Sequence, residues 1–191
     1  MLMSKHMERE EYDQAQKLLE VLPQYTFDRR QLQANLYIKQ RIYDEALELL
    51  EKKLMEEANE IQTILLKLMD IYIIENKMDE AEYFANVYQK TAQLYELWEY
   101  NSYVAHFQLA VAKKEGNQCI TLLKSMFEAV EKKWNLNQSP LYIHVKVKED
   151  NVSNLDQFLA IFLSGIEEDK ELEFLRGNPE YLDLINRYSH R

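Results

Sequence analysis

Four histidines, one cysteine and 33 acidic side chains are the groups in this 191-residue chain that could move a proton, hold a metal or attack a carbonyl. Nucleophilic catalysis needs a nucleophile and a base within hydrogen-bond reach, and zinc needs ligands at set spacings. His6, His106, His144 and His190 are scattered, and none forms a metal-binding pair on a helix. His106 lies among aromatics, the setting of a packed imidazole. Cys119, beside Gln118 and Ile120, falls at a packing position. Glu10-Glu11 and Glu167-Glu168-Asp169 read as solvated helix faces rather than acid–base pairs. Three glycines cannot supply a phosphate-cradling loop. Catalysis is therefore not expected, nor a metal, nor a cofactor. What remains is recognition chemistry. Leu97-Trp98-Glu99-Tyr100-Asn101-Ser102-Tyr103 sets aromatic area beside amides, a composition common at contact surfaces. On so apolar a segment Trp98 and Tyr100 suit a core equally well.

The elements that carry these residues are helical. Three Gly and three Pro are too few for sheets or long loops. One octet recurs: Tyr12-Asp13-Gln14-Ala15-Gln16-Lys17-Leu18-Leu19 returns as Tyr43-Asp44-Glu45-Ala46-Leu47-Glu48-Leu49-Leu50, then as Met78-Asp79-Glu80-Ala81-Glu82-Tyr83-Phe84-Ala85. A fainter fourth copy starts near Asn117, with a register uncertain by one residue. The spacing of the copies scatters around the ~34 residues of one helical hairpin. Each copy follows a polar turn and opens an amphipathic helix. The aspartate is placed to cap that helix, the small residue to let two helices approach, and the apolar pair to fill the space between hairpins. Partner helices precede the turns, at 31–38, at 60–74 and at 96–113. The segment 60–74 is apolar nearly all round and is expected to be buried centrally.

These residues resemble the tetratricopeptide family. Ala34, Tyr37, Tyr43 and Ala46 reproduce its spacing of a small residue and a tyrosine before the turn, and an aromatic and an alanine after it. Tyr72 and Ala81 keep part of that pattern, with Met69 where a small residue would stand. The resemblance covers about residues 1–135 and implies an all-α fold, a right-handed superhelical array of helical hairpins, with residues 136–191 as a C-terminal helical extension packing on and capping it. Tyr12, Tyr37, Tyr43 and Tyr72 are then inter-hairpin packing residues. In that family the first helices of successive hairpins line a concave groove for extended ligands. Carried over, the groove positions are Gln31, Asn35, Lys39 and Asp70, and in the fourth hairpin Asn101, Ala105 and Gln108, with Trp98 beside them. Amides suit such a wall because they both donate to and accept from a peptide backbone.

About ten residues precede Tyr12, too few for a full first helix and turn. Either a short capping helix opens the array, or the chain is the C-terminal part of something longer. Past residue 135, Trp134-Asn135-Leu136-Asn137-Gln138-Ser139-Pro140 breaks the helix, and the alternation over Leu141–Lys148 fits a strand or a loop leading into a helix. Ser153-Asn154 predicts a helix over 155–167. Gly177 ends a short helical stretch, and Asn178-Pro179 opens a last helix to about Tyr188. The segment Phe174–Leu182 resembles the closing stretch of tetratricopeptide arrays in bacterial helix-turn-helix transcription regulators. That likeness implies a sensor region that binds a signalling peptide or dimerises. The alternative is a stand-alone adaptor or homodimerisation module.

Net charge is −10 and Lys and Arg are dispersed, so direct nucleic-acid binding by these residues is not expected. No apolar run is long enough for a bilayer, the N-terminus lacks a secretory signal, and a lone cysteine cannot form an internal disulfide. A cytoplasmic location and a peptide or protein partner are the expectation.

Overall fold

The computed structural model describes residues 2–22, 28–132, 134–147 and 154–189. Their regular elements are helices: α1 (Leu2–Glu8), α2 (Tyr12–Val21), α3 (Arg29–Gln40), α4 (Tyr43–Ile74), α5 (Met78–Leu94), α6 (Asn101–Ala112), α7 (Gly116–Glu131), α8 (Asn154–Glu168) and α9 (Pro179–Ser189). Single 3₁₀ turns span Leu136–Gln138 and Lys170–Leu175. No strand forms among the described residues, and 141–147 are turn and coil. Lys148, Ser153 and His190 lie outside the described residues.

Five of the turns share one backbone solution. Glu10, Arg41, Asn76, Glu96 and Lys114, none of them glycine, adopt left-handed φ values of 61°, 63°, 58°, 47° and 55°. In each case the next amide reaches back into the preceding helix: Glu11 N to His6 O, Ile42 N to Tyr37 O, Lys77 N to Tyr72 O, Leu97 N to Ala92 O and Glu115 N to Ala110 O, at 2.8–2.9 Å. That bond satisfies a terminal carbonyl that has no intrahelical donor. Five residues beyond four of these positions stand Ala15, Ala46, Ala81 and Cys119. Their amides bond to the carbonyls of Glu11, Ile42, Lys77 and Glu115 at 2.9–3.3 Å. All four are at most 2% exposed. The fourth octet is therefore in register at Gly116, not Asn117.

Several sequence expectations are corrected locally. The octet aspartates do not cap: α2 and α5 have Glu11 and Lys77 at their N-caps without a side-chain cap bond, and Asp13, Asp44 and Asp79 sit inside the first turn. There they favour the helix through its N-terminal partial charge. A side chain does cap α3, where Asp28 accepts from the Arg30 amide at 2.9 Å. The helix opened by Tyr43 and the helix expected at 60–74 are one 32-residue helix. Residues 43–74 contain neither Gly nor Pro, so nothing interrupts the run. Conversely, α6 begins at Asn101 rather than 96, because Glu96 turns left-handed and ends α5. Tyr43 is 56% exposed and is not a packing residue.

By packing, the chain divides into two compact units, Met1–Glu57 with Asn135–Val147, and Ala58–Trp134 with Lys148–Arg191. The first buries Met3, Ala15, Leu19 and Leu36 together. It also buries Leu136, Tyr142 and Val145 against Leu54 and Met55. Polar bonds lock this second cluster. Glu51 accepts from the His144 amide at 2.7 Å and lies 2.6 Å from its Nδ1. Asn137 Nδ2 donates to the carbonyls of Tyr142, Ile143 and Val145 at 2.8–3.1 Å.

In the second unit Leu65 and Met69 of α4 pack on Ala81, Ala85 and Tyr88 of α5 and Ala105 and Leu109 of α6. A larger core joins α6 and α7 to the C-terminal elements. It includes Cys119, Leu123, Phe127, Leu163, Ile166, Leu172, Leu175, Tyr181 and Leu184. Phe127 stacks on Tyr188 with centroids 4.2 Å apart. Asn178 Oδ1 accepts from the Glu180 amide at 2.9 Å, so α9 opens on the asparagine cap and first-turn proline that the sequence predicts.

Candidate binding cleft

The second unit contains an open cleft of about 1070 Å³. Helical spacing explains its walls. Asp70, Ile73 and Ile74 are three and four residues apart and share one flank at the end of α4. Phe107, Gln108, Val111 and Ala112 do the same on α6, Met78 enters from the start of α5, and Lys170, Glu171, Glu173 and Phe174 come from the 3₁₀ turn, with Asp169 as its N-cap. Ile73, Met78, Phe107 and Val111 are half-buried or buried and form the apolar floor, whereas Asp70, Gln108, Lys114, Glu171 and Glu173 are exposed at the rim. Ile74 is 83% exposed and Phe174 36%, so two large apolar side chains stand at the opening without full cover. A concave apolar floor with a few polar groups around it is the usual make-up of a ligand site.

The rim is unevenly charged. Four carboxylates, Asp70, Asp169, Glu171 and Glu173, face two ammonium groups, Lys114 and Lys170. Asp169 is partly committed, since its Oδ1 caps the Glu171 amide at 2.8 Å. Arg176 forms no ion pair with a rim carboxylate; its Nη2 donates to the backbone carbonyls of Glu167 and Asp169, at 3.0 and 3.4 Å, and its charge stays beside the turn. Lys113 is held by Glu82 at 2.8 Å. Among the described residues no ion pair engages Asp70, Glu171 or Glu173.

Of the residues singled out from the sequence, Asp70 and Gln108 meet in this cleft. Trp98 and Asn101 are turned to other partners. Trp98 Nε1 donates to the Ala129 carbonyl at 3.2 Å, and its ring stacks on Tyr100 and meets Phe158 edge-on. Asn101 Nδ2 donates to Gln62 Oε1 at 3.0 Å, while Gln62 Nε2 donates to the Tyr88 carbonyl at 3.4 Å. Ala105 is buried. Gln31, Asn35 and Lys39 belong to the first unit, all exposed at i, i+4, i+8 along α3. The Lys39 backbone carbonyl accepts from the Tyr12 hydroxyl at 3.0 Å. The floor residues Ile73, Phe107 and Val111 and the 3₁₀ acids went unmarked in the sequence. Phe107 and Val111, one residue before and three after Gln108, carried the one available signal.

Burial lowers the His106 pKa, with Glu82 opposing. Lys113 in turn lowers Glu82. Cys119 is fully buried, and burial pushes its thiol up to about 11, so it is a core residue and a poor nucleophile. Among the described residues no group of His, Cys, Asp and Glu is placed to hold a metal ion, and no helix is long and apolar enough to cross a membrane. Comparison of the chain with protein-family models, curated proteins and solved structures finds no match.

Proposed function

We propose that this chain is a peptide- or protein-binding helical-repeat domain of the tetratricopeptide type, of the kind that serves as the sensor part of bacterial helix-turn-helix regulators. The observation that carries the proposal is the cleft between the ends of α4 and α6 and the 3₁₀ turn, with apolar side chains open at its mouth. The recurrent turn and the four buried small residues support the repeat character. Gln108 supplies an amide to a ligand backbone, and Ile74 and Phe174 supply apolar contact. A fluorescent peptide screen followed by titration tests this reading: saturable binding raises the melting temperature, and Ile74→Gln weakens binding without changing the fold, because the side chain is 83% exposed. No saturable binder in the screen, or a binder indifferent to both Ile74→Gln and Gln108→Ala, overturns it.

A second reading, self-association, is favoured by one feature of α4. Ile61, Ile64, Leu68 and Ile71 are 36–52% exposed and follow the 3-4-3 spacing of a coiled-coil seam. The complement of such a seam is another helix with the same spacing, which a second copy related by a two-fold axis supplies. Dimer mass in sedimentation, abolished by Ile64→Asp, supports this reading; monomer at every concentration removes it.

A further inference from the structure

We infer that the cleft selects peptides in which apolar side chains are flanked by Lys or Arg, an inference that rests on the peptide-binding reading above. The floor of Ile73, Met78, Phe107 and Val111 offers no hydrogen bond, so it takes apolar side chains. Selection among apolar peptides then falls to the rim, where four carboxylates face two lysines, an excess of two negative charges. Lys113 is paired with Glu82, whereas Arg176, bonded to the neutral carbonyls of Glu167 and Asp169, keeps its charge beside the turn and reduces the acidic excess to one. Asp70 stands on α4 and Glu171 and Glu173 on the 3₁₀ turn, so negative charge borders the cleft from two separate elements. A bound Lys or Arg meets it at either edge, while an acidic peptide meets like charge there and is rejected. Lys114 and Lys170 leave room for one counter-charge on the ligand, such as a free carboxyl terminus, without reversing the preference.

The test uses the full chain and three labelled peptides of one apolar core, Lys-Leu-Phe-Leu-Lys, Gln-Leu-Phe-Leu-Gln and Glu-Leu-Phe-Leu-Glu, titrated by fluorescence anisotropy. The expected result at low salt is that the lysine peptide binds about tenfold tighter than the glutamine peptide, and the glutamate peptide weakest of the three. The preference shrinks toward unity near about 0.5 M salt, where screening is strong. In the Glu171→Gln, Glu173→Gln double variant, changed only at exposed positions, the ratio of lysine-peptide to glutamine-peptide affinity falls several-fold. Equal binding of the lysine and glutamine peptides overturns the charge selection while leaving the peptide site standing. A lysine preference unchanged in the double variant overturns its assignment to this rim. If none of the three binds, the charge selection fails for this core; failure of the wider peptide screen as well removes the binding reading itself.

Discussion

At the residue scale, the five left-handed positions show how the chain manages turns with almost no glycine. An L-residue in that conformation carries a steric cost of about 1–2 kcal/mol, which the recovered backbone bond helps to offset. Arg41→Gly is expected to stabilise the protein by about 0.5–1 kcal/mol, since relief of the Cβ clash exceeds the added freedom of the unfolded chain. The urea midpoint, compared with that of Arg41→Ala, reads this directly, and a glycine variant no more stable than the alanine variant sinks the account. Cys119 is the other residue whose environment is decisive. With its thiol fully buried and pushed up to about 11, it resists thiol reagents in the native state and reacts on unfolding. Fast labelling in native buffer contradicts that placement.

At the element scale, the stretch 135–147 is held by side chains rather than by a regular ladder. Glu51 is 9% exposed and binds His144, 93 residues away, through both backbone and ring. Glu51→Ala strands those donors and is expected to cost about 2–4 kcal/mol in the first unit, seen as earlier denaturation or faster proteolysis near residue 143. In the second unit, Phe127 is fully buried and stacked on Tyr188. Phe127→Ala opens a cavity between α7 and α9 and is expected to cost about 3–5 kcal/mol in the same assay. Helix existence was legible from the octets. Their linkage into one helix at α4 and the late start of α6 were not, because the first turns on the lack of a breaker over 32 residues and the second on one backbone torsion at Glu96.

At the scale of the whole molecule, the pH limits of stability follow from groups whose surroundings favour one charge state. Burial pushes Tyr88 and Tyr100 up to about 12 from an ordinary 10.0. Their pKa values are raised in the folded state, so the stability they lend is complete below pH 10 and drains away as pH rises toward 12. Alkaline unfolding should therefore coincide with a delayed tyrosinate absorbance change; ionisation of every tyrosine near 10 without unfolding contradicts this. Lys53 and then Arg30 hold Asp28 well below the usual carboxylate range. That contribution is present above an ordinary value of 3.8 and lost as pH falls below it, and Asp28→Asn should flatten the acid limb of the stability profile.

Local chemistry alone determined the all-helical class, most turn positions, the buried small residue of the first three octets and the asparagine cap with first-turn proline of α9. Each depends on residues within one helical turn of one another, and a periodic pattern records such relations. Tertiary structure decided which flank of each helix is covered. It drew Trp98 and Asn101 into internal bonds, left Asp70 and Gln108 at a shared opening, and brought the acids of the 3₁₀ turn to face them. Those outcomes depend on contacts between residues far apart in the chain, where the free energy of packing chooses among helix faces that look alike in sequence.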